Sequence, residues 1–183
     1  LVEATQDTGV FVLVSGVLKR TASKLTKICN DLRLLSSGPR AGLHEINLPP
    51  MQPGSSIMPG KVNPVIPEVV NEIAFIVTGN DVTVTLAASA GQLELNAFEP
   101  VIAAKLFESL DLLTRAVKTL REKCVAGITA NASECRRHVD QSISLVTALV
   151  PHLGYERSAQ LANEALLTGR SLHEVATAKG WLS

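Results

Sequence analysis

Three stretches of this sequence repeat apolar residues every three or four positions over long runs, the pattern of helices that pack along their length. In residues 8–35, Val10, Val14, Val17, Thr21, Leu25, Ile28, Leu32 and Leu35 form one stripe, with Lys19, Arg20, Lys24, Lys27 and Arg33 mostly off it. Those cations read as a solvated helix face. From about Asn96 to Cys124 the stripe is Phe98, Ile102, Leu106, Leu110, Leu113, Val117, Leu120 and Cys124, with Pro100 in the first turn and Gly127 as the stop. Residues 64–88 read two ways. Val82-Thr83-Val84-Thr85-Leu86 alternates as a strand does, whereas Val69, Ile73, Ile76, Asn80 and Val84 recur at helical spacing. Length favours a helix, and Asn80 on its apolar stripe then needs a hydrogen-bond partner. Three long helices of near-coiled-coil spacing imply an all-α bundle.

After Thr129 the texture changes. Asn131 or Ser133 caps a helix running to about Leu149, ended by Pro151 and Gly154; residues 156–168 and 171–179 form two more, with Gly169 and Gly180 as stops. Ser171 and Glu174 have the spacing of a capping box. The expected organisation is a bundle over residues 1–128 and a small helical C-terminal domain over 129–183. His138, His152 and His173 share no ligand spacing and read as structural or exposed.

Between the first two long helices lies a Gly- and Pro-rich connection, residues 36–64; loops of this length inside compact domains are usually functional. His44 lies within it and reads as bound to backbone or water, with a proton-shuttle role as the alternative. The connection ends in Gly54-Ser55-Ser56-Ile57-Met58-Pro59-Gly60-Lys61-Val62-Asn63-Pro64. Asn63 is expected as a helix cap and Pro64 as the first helical residue, which sets the positive end of the next helix beside Lys61. That combination suits a carboxylate or phosphate. A nucleotide loop is excluded by spacing: five residues separate Gly54 from Gly60, and Val62 stands where the hydroxyl belongs.

Net charge is zero, with seventeen basic and seventeen acidic residues, and aromatics are 3%, so neither nucleic acid nor an anionic membrane is indicated. The high apolar share, 46%, implies a large core or helix faces that meet other subunits. Cys29, Cys124 and Cys135 lack metal-ligand spacing and read as reduced cysteines of a cytoplasmic protein.

The Gly54–Pro64 run resembles the signature loop of the fumarase/aspartase superfamily. Similarity extends through 1–7, 28–33, 36–43, Gly79-Asn80-Asp81 and 127–131, so it covers nearly the whole chain. The opening segment, 65–72 and 127–131 resemble the aspartase branch more than the hydratase branch. The resemblance implies a helical bundle contributing to a homotetramer core, and a small dicarboxylate substrate, aspartate and fumarate. The implied reaction is reversible elimination of ammonia by abstraction of a Cβ proton, through an aci-carboxylate. No cofactor is implied, and divalent-metal activation is not readable. Superfamily members are longer, and the chain opens on Leu1 in helix-like sequence, so it is expected to be a C-terminal portion, inactive alone.

Carried onto this chain, the resemblance makes Ser55 the base, acting as an alkoxide. Ser56 and nearby amides hold the β-carboxylate, Lys61 and Asn63 the α-carboxylate, and Met58 walls the pocket. Glu68, one turn into the next helix, supports a histidine that this chain lacks and is expected to be left unpaired. Two further readings stay open: a class II fumarate hydratase using the same loop, and a non-catalytic helical assembly module.

Overall fold

The computed structural model describes residues 2–54 and 57–181. Its elements are helices α1 (Val2–Gln6), α2 (Gly9–Leu35), α3 (Val65–Ser89), α4 (Glu99–Lys123), α5 (Ala132–Gln141), α6 (Val146–Leu153), α7 (Tyr155–Thr168) and α8 (Leu172–Ala178), with two-residue strands β1 (Ile46–Asn47) and β2 (Thr129–Ala130) paired to each other. The fold is all-α. It divides into two compact units, one ending at Thr129 and the other starting at Ala130.

In the first unit α3 packs against both α2 and α4. Three apolar layers join them. Cys29, Val70, Ala116, Leu120 and Cys124 form the first; Ala22, Ala74, Val77 and Leu113 the second; Val84, Ala87, Ile102 and Leu106 the third. From the first layer to the third, residue numbers fall along α2 and α4 and rise along α3, so neighbouring helices run antiparallel. The ambiguous stretch 64–88 is therefore a helix, because burial between two neighbours outweighs its β-branched content.

The buried face of α2, and in part that of α3, is rotated from the one expected. α2 buries Ser15, Ala22 and Cys29, a strict seven-residue repeat of small side chains, while Val10, Val14, Val17 and Ile28 stay exposed. In α3 the buried set is Pro67, Val70, Asn71, Ala74, Val77, Asn80, Asp81, Val84 and Ala87, and Val69 and Ile76 face outward. The stripe expected on α4 is buried at Ile102, Leu106, Leu113, Leu120 and Cys124, and only its members Phe98, Leu110 and Val117 are exposed. On α2 small residues let the helix axes approach, so its seam follows Ser, Ala and Cys, and its bulkier apolar row remains as a second face.

A polar belt interrupts the core between Val77 and Val84. The buried Asp81 carboxylate accepts from Ser15 Oγ at 2.8 Å and pairs with Lys19; Asn80 donates to Glu108 Oε2 and to Ser109 Oγ, both at 3.1 Å. The partner expected for Asn80 is thus found on α4. By length and hydropathy α3 alone among the described helices could cross a membrane. Its buried Asn80 and Asp81 are matched by α2 and α4, as in a bundle-core helix.

The second unit has its own core of Leu161, Ala165, Leu172, Val175 and Ala176, flanked by Ile143, Val146, Leu149, Leu153 and Trp181. The single helix expected up to Leu149 is two, broken at Ser142, whose extended backbone and hydroxyl cap the turn Ile143–Leu145. Pro151 lies inside α6 rather than ending it; Gly154, at φ 78°, is the stop. The capping box of α8 forms as expected: Ser171 Oγ accepts from the Glu174 N–H, and Glu174 Oε2 accepts from the Ser171 N–H at 2.8 Å.

Candidate active site

The loop after Pro53 is drawn closed at its base. Pro53 and Val62 form an antiparallel bridge, the Gly54 N–H donates to the Lys61 carbonyl at 2.7 Å, and Asn63 Nδ2 donates to the Gly54 carbonyl at 3.2 Å. Position 54 tolerates only glycine, because a Cβ there would lie 2.7 Å from the Lys61 carbonyl oxygen. Gly60 turns the chain back at φ 80°. Ser55 and Ser56 lie outside the described residues. Ile57 and Met58 are exposed on the flank of the loop, and Met58 is not part of the cavity wall described below.

Asn63 does not cap α3. Its amide is engaged by Gly54, the N-cap is Pro64 without a side-chain bond, and the helix starts at Val65, one residue later than the sequence implies. Glu68 is not left unpaired either. Arg33, in the last turn of α2, brings Nη2 to 4.0 Å from Glu68 Oε1, the outer limit of an ion pair. Both side chains are partly exposed, so the contact orients the carboxylate more than it stabilises the fold.

These elements enclose a cavity of about 720 Å³. Arg33 and the turn Ser36–Pro39 form one wall, His44 and residues 46–49 a second, and Pro59–Pro64 with Glu68 the third. Lys61, Asn63 and Glu68 are thus brought together as expected from sequence. Their lining company contains two fixed cations, Arg33 and Lys61, against one carboxylate, Glu68. Among the described residues no carboxylate lies within ion-pair distance of the Lys61 ammonium. The cavity also adjoins the N-terminal end of α3; Pro67 there carries no N–H and the Val65 and Glu68 N–H groups donate to the Asn63 and Pro64 carbonyls, so the helix end contributes its positive dipole rather than a row of free donors. An anion of small-molecule size meets complementary charge here.

Arg33 and His44 are the ionisable cavity residues not expected in the site from sequence. Arg33 looked like part of a solvated basic face. The signal for His44 is its place in the Gly- and Pro-rich connection, ten residues before Gly54, but its cavity neighbours are visible only with the fold.

Comparison with known proteins agrees with this architecture. The family model described as "Lyase" matches residues 1–79, and the one described as "Fumarase C C-terminus" matches residues 145–183. An aspartate ammonia-lyase of Helicobacter pylori is 67% identical over 179 residues, which is 98% of this chain and 38% of the relative. A fumarate lyase:delta crystallin from Brucella melitensis, solved bound to cobalt, superposes with a TM-score of 0.95 at 61% identity, over 100% of this chain and 40% of that one. A recombinant class II fumarase from Schistosoma mansoni gives 0.91 at 41% identity, over 99% and 38%.

The helical bundle, the closed loop and these matches agree: the chain belongs to the fumarase/aspartase superfamily. Within it, the sequence is similar along nearly its whole length to aspartate ammonia-lyases, and it spans about 38% of the length of the relative from Helicobacter pylori.

Proposed function

We propose that these residues are the C-terminal portion of an aspartate ammonia-lyase, which converts L-aspartate reversibly to fumarate and ammonia. The observation that carries this reading is the cavity at the base of the loop, where Lys61 and Arg33 face one carboxylate, Glu68. Arg33 is shared with Glu68, and Lys61 supplies the excess positive charge that a carboxylate substrate meets.

The chemical problem is a weakly acidic proton on the carbon beside a carboxylate. Donors around that carboxylate let negative charge flow into its oxygens as the C–H bond breaks, giving the aci-carboxylate. Ser55 takes the proton as an alkoxide, which requires surroundings that favour the charged oxygen, namely loop N–H groups and the positive end of a helix. Ser56 holds the β-carboxylate. Lys61 and Asn63 hold the α-carboxylate; the Asn63 amide spends one N–H on Gly54 and keeps a second for substrate. Charge then returns to form the double bond as the Cα–N bond breaks and ammonia leaves. On this reading Met58 walls the substrate pocket and helps exclude water.

The exposed apolar rows, including Val10, Leu13 and Val17 on α2, Phe75 and Leu86 on α3 and Phe107 on α4, support association of copies into a homotetramer. Its place is the cytoplasm, and no step is routed through a cofactor. Turnover that survives dialysis against EDTA supports the cofactor-free route; loss restored by a divalent cation overturns it.

The test is an assay of the complete protein on aspartate and malate side by side, following fumarate absorbance. Turnover of aspartate that is abolished by Ser55→Ala supports the reading. Turnover of malate alone would make it a fumarate hydratase, the alternative favoured by the 41% identity to a class II fumarase. A stable oligomer inert towards both, and indifferent to Ser55→Ala, is the result expected of an assembly module. The 183 residues alone are expected to be inactive.

A further inference from the structure

His44 has a left-handed backbone, φ 50°, a conformation that a β-carbon disfavours. The same connection uses glycine where its path is difficult. Gly38 sits at φ 128° and Gly60 at φ 80°, and a Cβ at Gly42 would lie 2.4 Å from the Ser37 carbonyl carbon. Position 44 carries a histidine instead. The other non-glycine residue of positive φ, Leu93, lies in the two-residue turn between the bridged Gln92 and Leu95, where hairpin geometry demands it. No hairpin imposes it at His44.

The surroundings hold this conformation firmly. The His44 N–H donates to the Ser37 carbonyl at 2.8 Å, the Leu43 N–H to Ser37 Oγ at 3.1 Å, and the Glu45 N–H to the Leu35 carbonyl at 2.9 Å. The base of the ring packs on Gly38, where any added Cβ would come within 3.2 Å of His44 Cβ. So fixed, His44 lines the same cavity as Arg33, Lys61 and Asn63. Strain that neighbours maintain at a cavity wall is a mark of a working residue.

We propose that His44 is a substrate-contacting residue of this cavity. Its imidazole donates a hydrogen bond to a carboxylate of the dicarboxylate anchored by Lys61, and the left-handed turn is kept because it delivers the ring to that wall. The inference rests on the lyase reading for the identity of the ligand. It deepens that reading by adding a residue to the binding set.

The test uses the complete protein, with succinate as a non-reacting probe followed by calorimetry, and aspartate kinetics alongside. His44→Gly removes the ring and the conformational penalty together. The expected result is a melting temperature equal to or above that of the parent, with the Kd for succinate and the KM for aspartate raised roughly tenfold or more, as for loss of a hydrogen bond to a charged group. His44→Asn, which tolerates the left-handed region and keeps a donor, is expected to stay within about threefold of the parent. Unchanged succinate binding in His44→Gly overturns the proposal, whatever its stability. So does a His44→Asn protein that folds but binds as poorly as His44→Gly. If the parent binds succinate with this dependence on position 44 yet fails to release ammonia from aspartate, the lyase reading falls and the binding role stands.

Discussion

The Gly54 N–H and the Lys61 carbonyl meet at 2.7 Å, and this single bond closes the loop that carries Ser55 and Ser56. It ties the backbone of the cationic residue to the residue just before the serines. Glycine is the only choice at the closing position, since a methyl group there would strike the Lys61 carbonyl.

Gly54→Ala is therefore expected to lower kcat/KM of the complete protein by about a hundredfold or more, because displacement of reacting groups by about an ångström has that effect. The melting temperature should change little, since no core layer includes the loop. Steady-state kinetics and a thermal melt on the same preparation check both halves.

Lys61→Met removes one of two fixed cations from the cavity wall. Binding of a dicarboxylate should weaken by about tenfold to a hundredfold, through loss of a charge-assisted hydrogen bond. Titration with succinate measures it, and because Lys61 is exposed the loss should shrink as salt rises.

Asp81→Ala breaks the polar belt. Ser15 Oγ loses its acceptor inside the core, while the half-exposed Lys19 ammonium recovers water. The expected destabilisation is about 1–3 kcal/mol, set by the orphaned hydroxyl and the cavity. The double variant Ser15→Ala/Asp81→Leu should be less costly than the sum of its parts, because no unmatched polar group remains. Urea unfolding of both variants decides the matter.

Burial pushes the Cys29 thiol up to about 11 from its ordinary 9.0, with the neighbouring Cys124 adding to the effect. The folded state thus favours the neutral thiol, and the unfolded chain ionises first. Stability from this group is complete below about pH 9 and is lost as pH rises towards about 11. Cys29→Ala should flatten that alkaline decline, while creating a small cavity that lowers stability at neutral pH. A series of urea melts from pH 7 to about pH 11 would show it.

In the second unit, Glu174 is held below the usual carboxylate range, first by the Ser171 backbone N–H and then by its side chain. This contribution is present above the ordinary carboxylate value of 4.5 and fades as pH falls through the lowered one. Ser171→Ala should loosen α8 by about 1 kcal/mol. Amide exchange of residues 172–178 is the measurement, with the remaining helices unchanged.

Much of this protein could be read from residue order alone. The periodicity of residues 8–35 and 96–124 defines long helices, since a 3.6-residue repeat is a local property of the chain. Ser171 and Glu174 announce a capping box for the same reason. The Gly54–Pro64 run marks the site, because glycine and proline constrain the backbone wherever they stand. Tertiary structure decided which face of each helix is buried. Val10 and Ser15 both lie on α2, but only Ser15 meets Asp81, since close helix approach favours the smaller side chain. It also decided who shares the cavity: Arg33, His44 and Lys61 are far apart in the chain and converge because α2, its following turn and the closed loop end at one place. Convergence of that kind depends on contacts distant in sequence, and no local pattern encodes it.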